Sequence, residues 1–408
     1  MNLRSTIRTV LCLSSGCLLL SSGIANAEEA APPSSSAVTF TVDASAPGPK
    51  VSPILYGLMT EEINHCYDGG LYAELIQNRA FKDDAKKPTH WTVVQPEGAG
   101  AKISLDGTKP LNDKLDVSLH LDAASVAAKT RVGIANDGYW GIPVKPDTKY
   151  RASFQARAGA ASVGPVTVAI ESEDGKTVYA SAQVPSLTTE WKAYEVTLKT
   201  EASATATTKT RFVITADAPC DVWFSLVSLF PPTWKDQPNG FRPDLMQMMV
   251  DMKPGFLRFP GGNYLEGDTV ATRFEWKKTL GPLTERAGHP CPWSYRSTDG
   301  MGLLEFLLWC ENMNAEPLLG VYAGYSLKGE TIKAGPELEP FVQEALEEIE
   351  YVTGDASTKW GAQRIKDGYP QPFKLRYVEI GNEDFFDRSG SYEWRFAQFY
   401  DAIKAKYP

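Results

Sequence analysis

Tyr377-Val378-Glu379-Ile380-Gly381-Asn382-Glu383-Asp384-Phe385 sets a strand-like run directly before a glycine, an amide and two acids. Upstream, Phe256-Leu257-Arg258-Phe259-Pro260-Gly261-Gly262-Asn263-Tyr264 repeats the plan: a short apolar run, then glycines and a polar loop. Segments of helical period separate and follow these runs. A helix is predicted over 301–314, a strand over 317–323, and a helix over 337–352 with Leu338, Phe341, Val342, Ala345, Leu346 and Ile349 on one face. The strand 375–380 and a last helix over 392–406 complete the series. Strands alternating with helices predict a parallel sheet, open or closed into a barrel. Residues 54–59, Ile-Leu-Tyr-Gly-Leu-Met, form a nearly continuous apolar run of the kind buried on both faces, and supply the first strand of that series.

The middle of the chain has another texture. Residues 91–94, 150–157, 166–171, 191–198, 211–215 and 222–229 are short alternating runs separated by turn residues, with no helix between them, which predicts a β-sandwich over 89–232. This segment falls between the first strand and the later units, so the fold class is α/β plus β. Residues 38–88 hold the first strand and helix, and 233–408 hold units two to four. After Asp68-Gly69-Gly70, Leu71, Leu75 and Ile76 sit at helical spacing and predict a helix to about Phe81. Residues 38–42 alternate like a half-buried strand. Ahead of them, 28–37 reads as a linker and 1–27 as a secretory signal peptide: Arg4 and Arg8, an apolar run over 9–24, then Ala25-Asn26-Ala27. Cleavage after Ala27 and a secreted or periplasmic destination follow as expectations.

The 408 residues carry a net charge of −9, and more negative charge once Arg4 and Arg8 leave, so phosphate-rich nucleic acid is an unsuitable partner. No later segment supplies the ~20 apolar residues of a membrane span. Only four histidines occur, none at a ligand spacing with cysteine, so neither a metal site nor a cofactor is expected. Cys66, Cys220, Cys291 and Cys310 remain beyond the signal, and an oxidising destination permits pairing without fixing the pairs. Nothing in the sequence sets the number of subunits.

In a parallel α/β barrel, residues at the carboxyl ends of strands face the active site. Glu383 is so placed to give a proton to a leaving oxygen, with Asn382 donating a hydrogen bond to a substrate hydroxyl. The plainer reading of an Asn-Glu pair after a strand is a helix cap or a solvated turn. Arg258 inside an apolar strand needs a carboxylate or polar partner, which makes it either a structural ion pair or a substrate contact. Glu61 and Glu62 close the first strand, and Asn263 follows the Gly261-Gly262 turn. A barrel brings three such strand ends into one mouth.

Residues 56–81, 258–267, Phe274-Glu275-Trp276-Lys277 with Gly281-Pro282, and Gly381-Asn382-Glu383 together resemble glycoside hydrolase family 51, the α-L-arabinofuranosidases, over about 38–88 and 232–408. The resemblance implies a (β/α)8 barrel with Glu383 as acid/base on strand four. It further implies Glu61, Arg258 and Asn263 lining the sugar pocket, Trp276 in its wall, and Asn382 reaching the sugar 2-hydroxyl. The intervening segment is similar to the carbohydrate-binding-like sandwich that some members insert after the first strand. Retention would use two carboxyl groups ~5–5.5 Å apart to release terminal arabinofuranosyl groups from arabinan, arabinoxylan or related polysaccharides. In the family the nucleophilic glutamate lies on strand seven, and residues 38–42 would join a C-terminal β-sandwich. This chain holds strands one to four only, so the expectation is a partial barrel whose C-terminal half is missing and which is inactive as it stands. Two other readings stay open. One is a non-catalytic polysaccharide-binding protein, with Trp140 or Tyr139 stacking on sugar rings. The other is a different glycosidase of clan A, which would keep the Asn-Glu pair without predicting the Glu61 and Arg258 clusters together.

Overall fold

The structure, a computed structural model, describes residues 38–43, 45 and 48–408. The expected signal peptide and linker lie outside the described residues. The chain divides into two units, 1–50 and 51–408. In the first, the expected strand over 38–42 is not formed, and Val38, Phe40 and Val42 are exposed. Alternation without a pairing partner does not hold a strand.

In the second unit, strand β1 (Leu58–Met59) comes first. Ten strands follow: β2 (Trp91–Val94), β3 (Lys102–Asp106), β4 (Ser118–Ala123), β5 (Val132–Asn136), β6 (Lys149–Ala158), β7 (Val166–Ser172), β8 (Val178–Val184), β9 (Lys192–Lys199), β10 (Thr210–Ala216) and β11 (Cys220–Phe230). They make two five-stranded antiparallel sheets, ordered β2-β5-β10-β7-β8 and β3-β4-β11-β6-β9. Ile134, Val168 and Phe212 from one sheet and Leu121, Phe154 and Phe224 from the other fill one shared core. Strand β6 shows why: Tyr150, Ala152, Phe154, Ala156 and Ala158 are buried in strict alternation with partly exposed neighbours.

Helix α1 (Pro243–Met252) returns the chain to the first sheet. It starts on Pro243, whose fixed φ suits the first turn, and stops at Lys253 in the left-handed region. Then come β12 (Phe256–Phe259), the short α2 (Gly262–Glu266), the two-residue partners β13 (His289–Pro290) and β14 (Arg296–Ser297), and α3 (Leu303–Met313). Strand β15 (Glu316–Val321), helices α4 (Glu339–Thr353) and α5 (Lys359–Lys366), β16 (Tyr377–Ile380) and α6 (Tyr392–Lys406) complete the unit. The sheet is parallel and ordered β1-β12-β15-β16, so spatial order repeats chain order. The register Met59↔Arg258, Phe259↔Leu319 and Val321↔Ile380 brings the carboxyl ends of the strands to one edge.

Two expectations need correction. The first strand has two residues, and Leu55, Tyr56 and Met59 are exposed, because among the described residues β1 pairs with β12 alone. The helix expected to about Phe81 is absent. Residues 71–76 instead run between the modules: Ala73 N donates to Gly240 O at 3.1 Å and Leu75 N to Leu229 O at 3.0 Å. Their backbone is satisfied by other segments, and Leu71, Tyr72, Ala73, Glu74 and Ile76 are all buried rather than every third or fourth residue. Cys66, Cys220, Cys291 and Cys310 are free thiols.

Candidate active site

Arg258 sits in the middle of the parallel sheet, and its guanidinium finds the partners its burial demands. It reaches past β15 to pair with Glu379 of β16 through both Nε and Nη2, the latter at 2.9 Å from Glu379 Oε1, and Nη2 also donates to Asn382 Oδ1 at 2.7 Å. The fork fixes the Asn382 side chain in one orientation, because its oxygen is held by a cation. Its Nδ2 then donates to Glu266 Oε2 at 3.0 Å, leaving a second N–H free for a ligand.

Glu266 lies on the last turn of α2 and is buried. Its Oε2 also accepts from Asn263 Nδ2 at 2.9 Å, and the same Asn263 nitrogen lies 3.4 Å from Glu383 Oε2. A single polar chain therefore runs Glu379, Arg258, Asn382, Glu266, Asn263, Glu383 across the ends of two strands, β12 and β16. Burial pushes the Glu266 carboxyl up to about 7; the two asparagine donors oppose this, and the negative charges of Asp384 and Glu383 add to it. Its Oε1 has no hydrogen-bond partner within the protein.

Glu61 closes on the same site from β1. Its Oε1 accepts from Tyr264 N and from Trp293 Nε1, both at 3.0 Å. The carboxylate passes so close to Gly262 that a Cβ there would stand 2.0 Å from Glu61 Oε2, and Gly262 holds a positive φ of 50°. The left-handed backbone favours glycine, and any side chain there would push the Glu61 carboxylate from its place. The adjacent Glu62 turns inward instead. It accepts from Tyr295 OH at 2.6 Å and Tyr67 N at 2.8 Å, and burial together with the Asp68 charge pushes its carboxyl up to about 8. The two neighbouring acids thus differ: Glu61 faces the cluster, whereas Glu62 braces the loop.

Glu383 is exposed and sits on left-handed backbone, φ 45° and ψ 26°. Its loop is anchored from beneath. Asp384 Oδ2 accepts from Asn382 N at 3.0 Å, while Arg395 of α6, wholly buried, pairs with Asp384 and Asp387 at 2.9 Å each. The loop is held by buried charge while its glutamate projects outward, the arrangement a proton donor needs.

The structure thus gathers Glu61, Arg258, Asn263, Asn382 and Glu383. It does not bring Trp276 to them. Trp276 is 2% exposed and packs on Trp360 and Tyr351, a core position beneath α4 and α5 rather than a pocket wall. Glu266, Glu379 and Trp293 are members the sequence reading missed. Asn263-x-x-Glu266, one helical turn apart, was the available signal for Glu266. Among the described residues no three His, Cys, Asp or Glu side chains are grouped to hold a metal ion.

Known proteins carry the same plan. Residues 248–408 match the family model "Alpha-L-arabinofuranosidase 1 domain", and residues 73–219 match "Carbohydrate binding domain". The probable α-L-arabinofuranosidase A of Aspergillus flavus is 39% identical over 368 residues, 88% of this chain and 57% of that protein. Over that stretch the chain is similar to α-L-arabinofuranosidases. α-L-Arabinofuranosidase 1 of Arabidopsis thaliana is a further relative, 36% identical over 91% of this chain and 55% of its own. The solved structure of arabinose-bound MgGH51 α-L-arabinofuranosidase superposes with a TM-score of 0.83 at 40% identity, covering 89% of this chain and 59% of that one. The chain therefore spans a little over half the length of these relatives.

Proposed function

We propose that this chain carries the acid/base side of the active site of a retaining glycoside hydrolase that releases terminal α-L-arabinofuranosyl residues from plant polysaccharides. One observation carries the reading. Glu383 is exposed at a strand end and tied through Asn263, Glu266 and Asn382 to a half-buried Arg258–Glu379 pair. In this reading the four parallel strands are the first part of a (β/α)8 barrel, and the two-sheet module is a carbohydrate-binding-like sandwich inserted at 89–232. Residues 1–27 direct the protein to secretion or the periplasm.

Each residue takes a role from its contacts. Glu383 protonates the departing oxygen and later draws a proton from water, which its exposure allows. Asn382 offers its free N–H to a sugar hydroxyl beside the reacting carbon, while Asn263 and Glu61 hold other polar groups of the ring. Arg258 orients Asn382 rather than touching sugar. Glu266, buried and shared between two amides, is a positioning residue, and the nucleophile's role is assigned to no member of this cluster.

The test compares leaving groups. In a polypeptide that also supplies the second carboxylate the reading requires, Glu383→Gln is expected to lower arabinose release from arabinoxylan by roughly 10²–10⁴-fold, the scale of general acid catalysis. Release from a nitrophenyl arabinofuranoside, whose leaving group needs little protonation, is expected to fall less in the bond-breaking step. Arabinose release that Glu383→Gln leaves unchanged on both substrates overturns the assignment.

A further inference from the structure

Loop residues Gly138-Tyr139-Trp140-Gly141, between β5 and β6 of the two-sheet module, carry an indole that is 67% exposed. Exposed tryptophan of that degree forgoes most of its hydrophobic stabilisation, so its surroundings bear on its use. Trp140 stands edge-on to His65, with ring centroids 5.8 Å apart and planes at 90°. His65 in turn stacks on Tyr295 at 4.2 Å, and Tyr139 meets His65 at 5.6 Å. Tyr295 donates to Glu62, and two residues away Trp293, also partly exposed, donates to Glu61. An aromatic path thus leads from the proposed sugar pocket, over the loop that carries Glu61, to the inserted module.

Beside Trp140 lies a cavity of about 490 Å³, bounded by Gly69, Gly70, Tyr72, Arg242 and Asp244 as well as Tyr139. Gly69 and Gly70 belong to that same loop, so the cavity opens along the path rather than behind it. Arg242 and Asp244 pair with each other at 2.6 Å and stay partly exposed. One wall is therefore aromatic and another offers both hydrogen-bond donors and acceptors, which is the chemistry of a sugar ring: apolar C–H faces and hydroxyl edges.

We infer that Trp140 and this cavity form a distal subsite for the main chain of the polysaccharide whose arabinofuranosyl branch enters the pocket at Glu61, Asn263 and Glu383. The inference rests on the proposed function, since it takes the branch and the main chain to belong to one substrate. A small aryl glycoside ends before it reaches the module, and only a polymer spans both places.

Two measurements on Trp140→Ala and Trp140→Phe test it: retardation in gels containing arabinoxylan, and turnover of arabinoxylan against a nitrophenyl arabinofuranoside. Trp140→Ala is expected to weaken polymer retention roughly tenfold, the scale of one lost aromatic contact, and to raise KM for the polymer while aryl glycoside turnover is unchanged. Trp140→Phe, which keeps a ring, is expected to retain part of the affinity. Unchanged polymer retention and KM in Trp140→Ala overturn the subsite and leave the proposed function standing. Equal losses on polymer and aryl glycoside also overturn it, because the residue would then act through the fold. Trp140-dependent retention without any arabinose release supports the subsite and, in a polypeptide that also supplies the second carboxylate, counts against the proposed function.

Discussion

Glu266 shows how far one side chain can depend on its setting. In the unfolded chain its carboxyl titrates near 4.5, and in the folded chain burial raises it to about 7. Between those values the folded form holds a proton that the unfolded form has lost, so stability is full below 4.5 and declines as pH rises through 7. Glu266→Gln keeps an oxygen for Asn263 and Asn382 but has no proton to lose, so it is expected to flatten that decline. Glu62, raised to about 8, titrates in the same sense and leaves part of the slope in place. Urea midpoints of both proteins below pH 4.5 and above pH 7 check this; an identical pH dependence would sink the assignment. The residue-level reading of the sequence succeeded where type and strand-end position sufficed. Arg258 in an apolar strand required a partner, and Glu379 with Asn382 supplies it. It failed at Glu266, an ordinary acid of a short helix until the sheet brings Asn382 over it. It failed also at Trp276, whose place was carried over from a resemblance and not argued from what surrounds it.

At the scale of elements, α6 is an anchor for the loop that presents Glu383. Arg395 lies inside it with no exposed surface and faces two carboxylates that are almost as deeply buried. Burial works against the Asp387 charge, yet hydrogen bonds from Ser389, Arg395 and Ser391 hold its carboxyl down at about 2. Arg395→Met would leave both acids without their cation, and a loss of about 3–5 kcal/mol is expected, measured by urea unfolding. A loss below 1 kcal/mol would mean the loop is held by something else. Elements with a clean period were legible: the strict alternation in β6 and the apolar stripe of α4 were both read from sequence. Strand β5 was missed because all five of its residues, Gly133 and Asn136 included, are buried, so no alternation exists to see. Conversely, Leu71, Leu75 and Ile76 have helical spacing by coincidence of two different neighbours, one in each module.

Across the whole molecule, both margins of the parallel sheet expose large apolar side chains. Leu55, Tyr56 and Met59 stand beside β1, while Phe385 is 76% and Trp394 72% exposed on the β16 side. Apolar surface in such concentration binds something in solution. This polypeptide on its own is expected to enhance the fluorescence of a hydrophobic-surface dye and to sediment faster as concentration rises, with Trp394→Lys weakening both effects. A monomer at all concentrations with no dye response would show those margins to be covered. The seam where the chain passes into and out of the two-sheet module has a different consequence. Leu75 bonds to Leu229, and Val227 N donates to Arg79 O at 3.0 Å, so the two crossing strands of backbone touch. Once the module has folded, its ends are already side by side. β1 then searches for β12 on tethers shortened to the residues flanking the seam, and the entropy of closing that loop is correspondingly smaller. The connectivity therefore favours an order in which the inserted sheets come together before β1 meets β12.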